Sequence, residues 1–231
     1  MHDPLWMKAF LAVHITAGTS AFLLAPLALI SAKGGKAHRR WGRFYFWAMA
    51  VVALTALVMA IYRPVLFLAL VAIFSFYSAF VGYRVLGQKA AYKGEKTATM
   101  LDWFAAAFTF AASATLAYLG AVQPALVQNL GVPAMVFGGI GMWIAGSAVW
   151  RCTHRPKEKM FWWYSHLASM LGSYIAAWTA FSVVTIGPLL HGAWWIWVLP
   201  TGIGVPSIAI TTAYYRRKFT PKPKNQLKAT A

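Results

Sequence analysis

Apolar residues run through this chain in long blocks rather than alternating with polar ones. Seven blocks reach the about 20 residues that cross a ~30 Å hydrocarbon layer as a helix. They are 5–30, 43–62, 64–85, 98–121, 133–152, 160–185 and 192–215. Polar residues collect in short connections between them, and neither a soluble domain nor an internal repeat intervenes. The pattern predicts an all-α fold: a polytopic membrane bundle of seven transmembrane helices in a single domain, 1–215. A basic tail, 216–231, is expected to be disordered.

Charge changes the picture by orienting it. Lys33, Lys36, Arg39, Arg40 and Arg43 follow the first block, and Arg84, Lys89, Lys93 and Lys96 follow the third. Arg151, Arg155, Lys157 and Lys159 follow the fifth, and Arg216, Arg217, Lys218, Lys222, Lys224 and Lys228 follow the seventh. Nineteen of the 21 basic residues therefore fall on one side, with Lys8 and Arg63 on the other. The positive-inside rule predicts an outside N-terminus and a cytoplasmic C-terminus. An odd number of spans agrees. The first block lacks a basic start and a small-residue cleavage site, so it reads as a retained helix rather than a signal peptide.

Composition supports the membrane reading and closes others. The 231 residues are 60% hydrophobic and 11% charged, against roughly 25% charged in soluble domains. Twelve Trp and ten Tyr suit rings anchored at two membrane interfaces. The net charge of +17 does not indicate nucleic-acid binding, because the basic residues sit in separate short connections. They suit anionic lipid headgroups instead. A single cysteine, Cys152, excludes an internal disulfide and a Cys-rich metal site.

Candidate chemistry concentrates in the sixth block. Ser165, Ser169, Ser173 and Ala177 form a small-residue edge that admits a neighbouring helix. His166 and Met170 lie on the adjacent ridge. Ionisable groups inside a span are functional candidates. His14, in the first block, is the other in-span histidine, whereas His38 and His154 fall in the basic connections. Asp102 is one of four acidic residues, and the one placed to enter a span. It reads as the partner of a neighbouring cation, as a helix N-terminal charge, or as a group that orients a histidine. Gly141 and Ala145 offer a close-packing face, within the bundle or toward a second copy. Pro200, Gly202, Gly204 and Pro206 are expected to break the seventh helix near mid-membrane.

A His followed by a small residue one turn on, His14 and Gly18, leads into His-Arg-x-x-Gly-Arg at His38 to Arg43. Later come His-x-x-x-Met-x-Gly-Ser-Tyr-Ile-Ala from His166 and Leu-Pro-Thr-x-Ile-Gly-x-Pro at Leu199 to Pro206. In these segments the chain resembles a family of predicted bacterial multi-span membrane proteins of unknown function. The resemblance implies a multi-span inner-membrane protein and supplies no activity.

Four functional readings follow. In the first, a redox subunit, His14 and His166 hold a b-type haem, with Met170 lining its pocket. An ideal-helix estimate puts their backbones ~7 Å apart in height. In the second, His38, His154, His166 and Asp102 gather as a divalent metal site. In the third, a small-molecule transporter or lipid-handling protein works around Pro200, Gly202, Gly204 and Pro206. In the fourth, the chain is a non-catalytic accessory or assembly subunit, as a homo-oligomer or with a membrane-complex partner, and its histidines make interhelical hydrogen bonds. Whether it is an enzyme stays open, although paired carboxylates and a glycine-elbow serine are absent.

Overall fold

In the computed structural model, which describes residues 4–63 and 65–219, the chain is all-helical. The helices are α1 (Leu5–Ile30), α2 (Lys36–Tyr62), α3 (Leu66–Arg84), α4 (Met100–Val122), α5 (Gly131–Thr153), α6 (Phe161–Thr185) and α7 (Leu199–Phe219). Seven segments are long and apolar enough to cross a membrane, the seventh including a 3-10 stretch, Trp194–Trp197, before α7. This fits a multi-pass membrane protein. Large apolar side chains such as Leu54, Phe104 and Trp143 are exposed, as lipid-facing residues are.

Two boundaries differ from expectation. Helix α2 begins at Lys36, so the His-Arg-x-x-Gly-Arg segment is its first turns and not a loop. The backbone of Arg39 already donates to the Gly35 carbonyl. At the other end of the chain, α7 is unbroken through Gly202, Gly204 and Pro206. Pro200 falls in the first turn, where a missing N–H costs nothing. The Gly202 amide closes that turn on the Val198 carbonyl at 2.8 Å. Gly204 is a contact point, since a Cβ there would run into the Ile175 side chain of α6. Helix α7 also takes in Arg216, Arg217, Lys218 and Phe219, and the rest of the expected tail lies outside the described residues.

Helix α3 is the hub, packing on α2, α4, α5 and α6. The α1–α2 pair closes over Ala21, Ala25, Tyr45, Phe46, Met49 and Ala79. The α4–α5 pair closes through glycines rather than bulk. A Cβ at Gly138 would lie 2.6 Å from both the Ala117 nitrogen and the Ser113 carbonyl oxygen. Gly141 lies against the Ser113 side chain, and Ala145 is fully buried. The small-residue face of α5 is thus used inside the bundle.

The serine edge of α6 is also used internally. Ser173 is fully buried and donates to the Met170 carbonyl, so it accepts from the Tyr45 hydroxyl at 2.6 Å. Tyr45→Phe removes only that bond. A cost of about 1 kcal/mol is expected, read as a small drop in melting temperature in detergent.

Candidate functional site

A space enclosed by the helices lies at the end of the bundle opposite the basic connections. There α3 and α6 part after a close seam. At the seam, Met170 packs on Gly82, and Ser78 faces Gly172. From that level outward, α3 contributes Leu68, Val71, Phe74 and Ser78 to a cavity of about 350 Å³. Thr179, Ala180 and Val183 of α6 and Ile140 of α5 form further walls. Trp197, Thr201 and Val205 close it from the seventh span, and His14 reaches it from α1. The run from Ser78 to Leu68 covers ten residues, or about 15 Å of helix. The walls are overwhelmingly apolar, with a few polar atoms at fixed points, as in small-molecule sites of ~300–1,000 Å³. Helices α5 and α7 flank the space without packing along each other.

His14 is held so that one nitrogen is left for a ligand. Its Nδ1 lies 2.9 Å from Thr55 Oγ1 and 3.2 Å from the Val52 carbonyl. Thr55 spends its own proton on the Val51 carbonyl, at 2.7 Å. Carbonyls only accept, so His14 carries its proton on Nδ1, and Nε2 keeps a lone pair. Among the described residues Nε2 has no hydrogen-bond partner.

The expected haem ligands are not brought together. His166 lies at the basic end, where its Nδ1 donates to the Gly82 carbonyl at 2.7 Å and its ring faces His38. Along α2, the residues meeting the two histidines are His38 on one side and Val52 and Thr55 on the other. That separation is about 21–25 Å at 1.5 Å per residue. Two imidazoles on one metal hold their nitrogens ~4 Å apart. The ~7 Å estimate failed because it assumed spans of bilayer thickness. Helix α1 has 26 residues and α6 has 25, each closer to ~38 Å long. Met170 is a packing residue of the α1–α2–α6 core.

The four-residue metal group does not converge either. Among the described residues, no three His, Cys, Asp or Glu side chains are placed to share an ion. Asp102 caps α4: it accepts from the Thr99 amide and hydroxyl, both at 2.8 Å. Arg84 holds it in a two-pronged ion pair at 2.9 and 2.7 Å. It orients no histidine. His154 terminates α5, with its ring stacked on Trp150. His38 and His166 alone are neighbours, 6.1 Å between ring centres. Lys33 acts on His166 through space. Its ammonium donates to the Leu29 carbonyl, and partial burial pushes its pKa below the ordinary value.

Of the seventh-span candidates, Pro200, Gly202, Gly204 and Pro206 do not line the cavity, whereas their neighbours Thr201 and Val205 do. Ser78 stands out in the sequence as a polar group in mid-span. Thr201 lies inside the Leu-Pro-Thr-x-Ile-Gly-x-Pro segment, and Thr55 and Trp197 take their role only from tertiary packing.

No family model matches the chain, and neither a curated protein nor a solved structure matches it. Function is therefore read from the geometry.

Proposed function

We propose that this is a lipid-handling membrane protein that takes a small lipophile from the bilayer into the α3–α6 cavity. The carrying observation is the cavity itself: an apolar space of about 350 Å³ lined in part by His14, whose Nε2 has no hydrogen-bond partner among the described residues. A lone pair selects a hydrogen-bond donor. The ligand class is then an apolar molecule ending in a hydroxyl, such as an isoprenoid alcohol or a phenol. The lipophile enters from lipid between α5 and α7, which do not pack along each other. The basic connections face the cytoplasm against anionic headgroups, in the bacterial inner membrane, as the sequence resemblance also implies. The cavity then sits in the leaflet away from the cytoplasm.

Binding of farnesol to the detergent-solubilised protein, with farnesyl methyl ether as the comparison, tests this. The alcohol is expected to bind, and His14→Ala to weaken it by roughly ten-fold, the value of about one hydrogen bond. The ether, which cannot donate, should not sense that substitution. Ala180→Phe fills the space and should abolish binding of both. Unchanged farnesol binding in folded Ala180→Phe protein would overturn the reading.

A further inference from the structure

The basic end holds a second arrangement that the lipophile cavity does not use. His38, in the first turn of α2, and His166, in the second turn of α6, come from segments far apart in the chain and bring their ring centres to 6.1 Å. Each is pinned by the same device. The Nδ1 of His38 lies 2.9 Å from the Ala28 carbonyl, and that of His166 lies 2.7 Å from the Gly82 carbonyl. A carbonyl must be given a proton, so both rings carry theirs on Nδ1 and offer Nε2 as a lone pair. Among the described residues neither Nε2 is hydrogen-bonded. A backbone carbonyl on the far nitrogen is the support that metal-binding histidines use to fix ring orientation and raise basicity.

The spacing suits a shared ion. A metal–imidazole nitrogen bond is about 2.0–2.1 Å, and the ring centre lies ~1.1 Å further on. Two imidazoles on opposite sides of one ion therefore have ring centres ~6.3 Å apart, close to the 6.1 Å observed. Their near-perpendicular planes, at 75°, are no obstacle, because two-coordinate ligation sets no preferred angle between the planes of the two rings.

Ligand number and charge choose the metal. Zinc and other divalent ions ask for four or more ligands, and no third His, Cys, Asp or Glu converges here among the described residues. Lys33 adds a nearby positive charge, which penalises a divalent ion more than a monovalent one. Copper(I) is monovalent, binds imidazole and is satisfied by two donors. We infer that His38 and His166 form a two-imidazole copper(I) site at the basic end of the bundle.

The test is competition for copper(I) between the full-length protein in detergent and the chromophoric chelator bicinchoninate, under ascorbate and argon. The native protein should take one copper per chain at this site. His38→Asn and His166→Asn keep a side-chain amide able to donate to Ala28 or Gly82 but remove Nε2. Each is expected to weaken binding by at least about ten-fold while the melting temperature of the metal-free protein stays close to native. His14→Asn, at the other end, should bind copper(I) as the native protein does. X-ray absorption at the copper edge should show two nitrogen neighbours and no sulfur. Copper(I) binding that survives both asparagine variants overturns the inference. So does a haem absorption band that these same variants remove, since the pair would then be holding haem iron. Neither result touches the farnesol measurement, which reads the other end of the molecule.

Discussion

Gly138→Ala is expected to cost about 3 kcal/mol or more and to lower the melting temperature in detergent by roughly 6–12 °C. The added methyl would fall 2.6 Å from two backbone atoms of α4, the Ala117 nitrogen and the Ser113 carbonyl oxygen, and 2.7 Å from the Ala117 Cβ. A side chain could rotate away, but a helix backbone gives way only by moving the helix. Displacing α4 from α5 disturbs a closely packed helix seam and the Phe67, Phe74, Leu116 and Phe137 cluster beside it. Gly139→Ala is the control, since a Cβ there meets nothing within 4 Å. Equal melting temperatures for the two variants would show that α4 and α5 are not held at backbone contact.

Asp102→Ala has the second largest expected effect, about 2–4 kcal/mol. The carboxylate is buried and accepts from Arg84 and from both the amide and the hydroxyl of Thr99. Removing it undoes the cap of α4 and leaves the Arg84 guanidinium with an unmatched charge between α3 and α4. Arg84 remains about a third exposed, so water relieves part of that charge. The double variant Arg84→Met, Asp102→Leu should recover much of the loss, because replacing both partners by apolar groups strands neither. Thermal unfolding followed by circular dichroism decides it. A double variant no more stable than Asp102→Ala would mean that the cap, not the ion pair, supplies the stability.

The membrane-spanning pattern was legible because it depends on composition over some 20 residues, which a sequence displays directly. Helix ends were less so. Lys36 to Arg43 looks like a loop by charge, yet a helix continues past the apolar core wherever its charged side chains can reach water. The Pro-Gly run of α7 looks like a break, yet Pro200 sits where helices tolerate proline. Asp102 was readable as a cap or ion-pair residue, because both roles are local. The sites were not readable. His14 meets Thr55, and His38 meets His166, only through packing between helices distant in sequence. Span thickness alone put His14 and His166 within reach of one another, when they serve opposite ends.

The position of α3 as hub has a consequence for how the protein is made. During synthesis α3 emerges after the α1–α2 pair and before the α4–α5 pair, so both can dock on it early. The face it turns toward α6 waits until more than seventy residues of further chain have been added. Until then Leu68, Val71 and Ser78 have no opposite wall, and His38 has no partner ring. Both candidate sites are completed by the last two helices, at the end of translation. A nascent chain stalled after α5 would carry the hairpins but neither site, with one face of α3 left for lipid or for a chaperone.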